Sequence, residues 1–238
     1  MVDELGKLYL IPTTLGDNEP LEVLPLSVKK VIEELDCFIV ENEKTARRFI
    51  KQITPRKSQP SLTIFKLDKY ADQLEVRTYL NACADGVSIG LLSEAGVPAI
   101  ADPGAEIVKL AHEKGIRVIP LVGPSSIILA MMASGFNGQN FTFNGYLPID
   151  ASERKATLKK LERLSKEKDQ SQIFIETPYR NEKMMTDLKS ALTPTTKLCV
   201  ACDITLQTEY IRTLEIKDWK HVKPDLHKRP TIFIIHKD

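Results

Sequence analysis

Three segments of this 238-residue chain combine small residues with hydroxyls or carboxylates. That mixture lets backbone amides approach a ligand closely. The first is Pro12-Thr13-Thr14-Leu15-Gly16-Asp17-Asn18. The second runs from Ser93-Glu94-Ala95-Gly96-Val97-Pro98 to Asp102-Pro103-Gly104, and the third is Val122-Gly123-Pro124-Ser125-Ser126. Taken singly, their Gly and Pro residues are turn punctuation. Each follows an apolar run that reads as a strand, and ligands of open parallel sheets bind beyond the carboxyl ends of the strands. Three such loops on one sheet edge predict a binding site.

Several common chemistries are excluded. No Gly-x-Gly-x-x-Gly follows the first strand and no Gly-Lys-Ser/Thr phosphate loop occurs, which disfavours ordinary dinucleotide and nucleoside-triphosphate sites. No Gly-x-Ser-x-Gly elbow marks a serine hydrolase. His112, His221, His227 and His236 are scattered, so no metal is expected. Cys199 and Cys202 have redox or zinc spacing, but they sit in a strand-like run with no second ligand pair. They are read with Cys37 and Cys83 as structural thiols of a reducing compartment.

The elements that position these loops follow from hydrophobic periodicity. Strands are predicted over 7–12, 37–41, 63–67, 86–92 and 116–121. Helices are predicted over 26–35 and 44–52, from Asp102 through His112 with Asp102 as N-cap, and from about Pro124 to Met132. This alternation implies a parallel sheet with helices on both faces. Beyond Pro148 a long charged helix over 151–168 precedes a strand over 171–176 and a helix over 181–192. Strands over 197–203, 209–216 and 230–236 follow with little helix between them, the pattern of a mixed or antiparallel sheet. The fold class is therefore α/β, with two α/β domains over 1–147 and 148–238. Phe141–Leu147 is read as the crossing between them.

Charge follows the same division. The net charge of +1 argues against a dedicated nucleic-acid binder, but residues 1–147 carry 15 basic and 18 acidic side chains and residues 148–238 carry 18 and 14. The start, Met1–Gly6, is acidic and has no signal-peptide pattern, and no window reaches the roughly 20 apolar residues of a membrane span. A cytoplasmic protein is expected.

The segment Leu91-Leu92-Ser93-Glu94-Ala95-Gly96-Val97-Pro98, followed by Asp102-Pro103-Gly104, resembles the tetrapyrrole methylase superfamily. Matching pieces occur in order: Leu8–Thr13, Gly115–Pro120, Gly123–Ser126, Phe143–Pro148 and Glu176-Thr177-Pro178-Tyr179-Arg180. The match is best to the branch that methylates a ribose 2′-hydroxyl of a 16S ribosomal RNA cytidine. The resemblance implies two domains around S-adenosylmethionine, in a homodimer. It places Pro12, Ser93, Glu94 and Val97 at the cofactor's amino-acid end and sulfonium, with Ser125 and Ser126 beside them. It assigns Ile175, Glu176, Cys202, Pro230 and Thr231 to the adenine.

For a ribose hydroxyl, a proton acceptor is expected at Glu41, the end of the second strand, with Glu94 as the other candidate carboxylate. Arg47, Tyr146 and Arg180 are the expected acceptor contacts. Lys44, Arg47, Arg48 and Lys51 form a basic set on the acceptor's edge of the sheet, while Arg154 to Lys168 reads as a charged helix able either to meet phosphates or to pair internally.

Four departures bear on the acceptor. Glu94 stands for the branch's Asp and Val97 for its Thr; Thr14-Leu15-Gly16-Asp17 replaces Pro-Ile-Gly-Asn, and Glu41-Asn42-Glu43-Lys44 replaces Glu-Asp-Thr-Arg. RNA is the expected acceptor, with a corrin or porphyrin precursor as the alternative.

Overall fold

The computed structural model describes residues 5–68 and 70–238; the acidic start Met1–Glu4 lies outside them. The chain divides into two compact units, Met1–Ser125 and Ser126–Asp238. Among the described residues no helix is long and apolar enough to cross a membrane.

The first unit holds five strands, β1 (Lys7–Ile11), β2 (Cys37–Val40), β3 (Thr63–Lys66), β4 (Ile89–Leu92) and β5 (Arg117–Pro120). They pair in the order β3-β2-β4-β1-β5, all parallel. Alternation along the strands feeds two cores. Leu8, Cys37, Ile39, Ile89 and Leu91 face one side, where the helix Ala105–Glu113 contributes Ile107 and Ala111. Ile11, Phe38, Val40 and Leu92 face the other, under the helices Leu26–Glu34 and Glu43–Ile53. Gly90 belongs to the second face. A Cβ there would lie 2.6 Å from Ile11 Cδ1 and 2.9 Å from a Phe38 ring carbon, so its missing side chain is what lets those two large residues meet above the sheet.

The second unit is a mixed sheet of β6 (Phe141–Tyr146), β7 (Ser171–Ile175), β8 (Lys197–Cys202), β9 (Tyr210–Glu215) and β10 (Thr231–His236). Its order is β6-β7-β10-β8-β9; only β6 and β7 run parallel. The helices Ala151–Lys168 and Asn181–Ala191 close one face over Phe174, Val200, Phe233 and Ile235, with Trp219 at the centre of that core. The helix Ser126–Ala133 packs on β10.

Three local expectations need correction. The helix after β4 begins at Ala105, with Gly104 (φ 129°) as its N-cap, so Asp102 caps nothing. A Cβ on Gly104 would lie 2.7 Å from Leu91 Cδ2, and this tight seat on the core fixes where the helix starts. Phe141–Tyr146 is a paired strand of the second sheet instead of a crossing segment, so the compact units part after Ser125, well before Leu147. Finally, Arg154 is no phosphate contact. It is 1% exposed, its guanidinium bonds Asp187, and it donates to the carbonyls of Pro148 (3.1 Å) and Ile149 (2.7 Å).

All four cysteines are buried free thiols. Burial, with Cys83 alongside, pushes the Cys37 thiol up to about 11, which leaves it protonated and inert.

Candidate active site

Strand order puts the chemistry at one edge of the first sheet. The chain leaves β1 and β2 toward one side and β4 toward the other, so the carboxyl ends of β1, β2 and β4 flank the switch point where open α/β sheets bind ligands. The loops after β1, β4 and β5 meet there as expected. Thr13 N–H donates to the Gly96 carbonyl at 2.9 Å, and the Thr13 and Ser93 hydroxyls lie 3.2 Å apart. Ser93 Oγ donates to the Gly96 carbonyl, so this buried hydroxyl ties its loop together. Gly123 closes the third side: a Cβ there would lie 2.2 Å from Pro12 Cγ, which shows how closely the loop after β5 rests on the Pro12 ring.

A group of carboxylates occupies the centre of this edge. Glu94 is exposed, and both its oxygens accept from Thr45 Oγ1, at 2.8 and 3.0 Å. Thr45 is set there by the first turn of the helix Glu43–Ile53, whose N-cap Asn42 accepts from the N–H groups of Lys44 and Thr45. Glu41 is half-buried; burial first, then the charges of Glu94 and Asp68, raise its carboxyl above the ordinary value.

Asp102 completes the group, although its type and position suggest only a helix cap. The loop before it turns through Ala99 and Ala101 at φ 65° and 60°, left-handed conformations that alanine adopts only under constraint. Asp102 Oδ2 is buried without a hydrogen-bond partner. Burial, followed by the charges of Glu41 and Glu94, pushes this carboxyl up to about 6. The signal in the sequence was the Asp-Pro-Gly run, which also marks a loop. Among the described residues no group of three or more His, Cys, Asp or Glu side chains is arranged to hold a metal ion.

A cavity of about 360 Å3 opens beside the carboxylates, between the Thr13–Asn18 loop, the Ser93–Ala95 loop and the helix Glu43–Ile53. Arg48 lines it. Arg47 is committed elsewhere: its Nε donates to Glu43 at 2.7 Å and its Nη1 to the Gln59 carbonyl at 2.5 Å.

In the second unit the register gathers another part of the expected set. Tyr146 and Ile232 flank Ile175, and Thr231 faces Cys202, so Tyr146, Ile175, Thr231 and Cys202 share one end of the sheet. Cys202 and Thr231 are buried, while Pro230 is exposed and its carbonyl accepts from Asp203 N–H at 3.0 Å. The Glu176 carboxylate accepts from Thr177 N–H at 2.6 Å and from Arg180 Nε at 3.0 Å. Arg180 is thus held by Glu176. Ser126 opens the helix Ser126–Ala133, and Val97 is half-buried in the loop after β4.

The family model for tetrapyrrole (corrin/porphyrin) methylases matches residues 7–219. A ribosomal RNA small subunit methyltransferase I from Vibrio cholerae is 27% identical over 232 residues, 96% of this chain and 76% of that protein. Among solved structures, the methyltransferase CobJ superposes with a TM-score of 0.64 at 16% identity, covering 98% of this chain and 94% of CobJ. A uroporphyrin-III C-methyl transferase from Thermus thermophilus, complexed with S-adenyl homocysteine, gives 0.57 at 16% identity, covering 98% of each chain. With the family model spanning both units, from β1 to Trp219, the chain belongs to the tetrapyrrole (corrin/porphyrin) methylases.

Proposed function

We propose that this protein is an S-adenosylmethionine-dependent methyltransferase whose acceptor is a ribose 2′-hydroxyl of ribosomal RNA. One observation carries the choice of acceptor. The cavity at the switch point sets Thr14, Asn18 and the Arg48 guanidinium beside Leu15 and Phe49, so it offers a cation for a phosphodiester and an aromatic face with hydrogen-bonding neighbours for a nucleoside. The Vibrio relative, named as a ribosomal RNA small subunit methyltransferase, points the same way.

The residues at the edge suit the cofactor. A sulfonium and an ammonium are cations, and Glu41, Glu94 and Asp102 form a carboxylate group whose mutual repulsion a cation relieves. Pro12, Ser93, Glu94, Val97, Ser125 and Ser126 would hold the amino-acid end; Ile175, Glu176, Cys202, Pro230 and Thr231 would hold the adenine. The bound cofactor supplies a methyl group already activated by its neutral thioether leaving group. What remains for the protein is alignment, exclusion of water and acceptance of one proton. Glu41 is the proton acceptor in this reading: it directly follows β2 at this edge, half-buried beside Glu94 and Asp102, and burial raises its carboxyl above the ordinary value. Glu94, steadied by Thr45, orients; Tyr146 and Arg180 are left as acceptor contacts from the second unit, with Arg180 positioned through Glu176.

A homodimer in the cytoplasm completes the proposal. Met132, 75% exposed on an otherwise apolar helix, is the kind of side chain a second copy covers. Incubation with labelled S-adenosylmethionine and small ribosomal subunits, beside a tetrapyrrole precursor, tests the acceptor. Label in a ribose of the RNA is the expected result; label in the precursor alone overturns it.

A further inference from the structure

The cavity beside Glu94 has one wall that no assigned role explains. Thr45, Arg48, Phe49 and Gln52 are spaced by three and four residues, so they line a single face of the helix Glu43–Ile53, and all four border the cavity. Thr45 is engaged with Glu94. Arg47, one residue from Arg48, is turned away and held by Glu43 and by the Gln59 carbonyl. Arg48 makes no hydrogen bond or ion pair among the described residues, although Asp17 borders the same space. An unpaired guanidinium one helical turn from Thr45, which holds the Glu94 carboxylate at the same cavity, is a two-ended arrangement. The cationic fork takes an anion, and the carboxylate takes hydroxyl donors.

A nucleotide unit has both features in one molecule: a phosphodiester and, a few ångströms away, ribose hydroxyls. The cavity volume of about 360 Å3 falls within the ~300–1,000 Å3 of small-ligand sites. Thr14 also lines it; its hydroxyl donates to the Gly16 carbonyl at 2.7 Å and keeps its lone pairs for a sugar hydroxyl.

We propose that this cavity seats the acceptor nucleotide of a single-stranded RNA segment, with its phosphodiester on Arg48 and its ribose toward Glu94. This rests on the RNA reading above and goes past it by making Arg48, not Arg47, the residue that selects an RNA backbone.

The test is steady-state methylation of small ribosomal subunits by the full chain and by Arg48→Ala, Arg48→Lys and Lys109→Ala. The last removes one exposed charge that does not line the cavity and controls for general electrostatics. Arg48→Ala is expected to raise KM for RNA about tenfold or more, to leave S-adenosylmethionine affinity within about twofold, and to lower the salt slope of RNA binding by about one. Arg48→Lys, which keeps the charge and loses the fork, should recover only part of the loss. Lys109→Ala should behave as wild type. If wild type labels RNA and Arg48→Ala keeps its KM, the nucleotide seat is wrong and the RNA reading stands. If wild type binds cofactor and labels only a tetrapyrrole, both fall.

Discussion

Asp102 and Glu41 hold opposite lessons about reading residues from sequence. Glu41 ends an apolar strand, and that position alone made it a candidate. Asp102 precedes Pro and Gly, the signature of a cap, and only the fold reveals that its carboxyl turns back toward Glu41 with one oxygen unpartnered. Local pattern reports what a residue does to its own backbone; it is silent on which distant charges will surround it. Two outcomes follow. Glu41→Gln should lower kcat by on the order of 100-fold, as removal of a general base does, and should weaken the cofactor by a much smaller factor, because one of the carboxylates beside its cations is neutralised; calorimetry and single-turnover rates separate the two. Asp102→Asn should stabilise the protein at pH 7 by on the order of 1–3 kcal/mol. The sign follows from proton linkage. The native carboxyl sits near 6 and the unfolded one near the ordinary 3.8, so the folded state binds the proton more tightly and loses stability as pH rises from about 4 to 6. The variant's advantage should therefore vanish below pH 4 in urea titrations. A stabilised but slower enzyme is the outcome expected where a destabilised group serves function.

At the scale of elements, the strands and the long helices were legible because two-fold and 3.6-fold periodicity is a local property. Ala151–Lys168 falls where its pattern predicts it. Ends were less legible. The strand expected from Gly86 starts at Ile89, because Gly86, at φ 80°, closes a short 3-10 turn over Asn81–Asp85. The pairing of β6 was hidden too, since a strand's sequence does not state which sheet it will join. Close packing between elements is where glycine carries meaning. Gly123 lets the loop after β5 lie on the Pro12 ring, and proline is a rigid neighbour that cannot swing aside for a new Cβ. Gly123→Ala should accordingly cost about 1–3 kcal/mol and weaken S-adenosylmethionine binding, because the displaced segment is the loop after β1. Thermal shift with and without the cofactor reads both effects. An unchanged melting temperature and an unchanged ligand-induced shift would show that the loop is free to yield.

For the whole molecule, net charge turned out to be a poor guide because much of the charge is internally spent. In the helix Ala151–Lys168, Arg163 faces Glu167 at 3.6 Å, Glu162 accepts from Thr193 N–H at 2.8 Å, and Lys155 lies 3.5 Å from Asp187. Arg154 is the extreme case. Its guanidinium joins three parts of the second unit: its own helix, Asp187 on the helix Asn181–Ala191, and the carbonyls of Pro148 and Ile149 that lead from β6. Replacing one partner of such a buried pair leaves the other charged and unmatched, at a cost of about 3–5 kcal/mol, reduced here to the extent that Lys155 stands in. Arg154→Leu should thus lower the stability of the second unit. The chain's single tryptophan makes this measurable, since Trp219 is fully buried in the core that those two helices cover, with its indole N–H donating to the Leu198 carbonyl at 2.9 Å. Its fluorescence should report an unfolding midpoint shifted to lower urea in Arg154→Leu. Hydrogen exchange at Ile89 and Leu91, in the central strand of the other sheet, reads the first unit separately. Equal loss of protection there would mean that the two units unfold as one cooperative body; retained protection would mean that the division after Ser125 is also a division in stability.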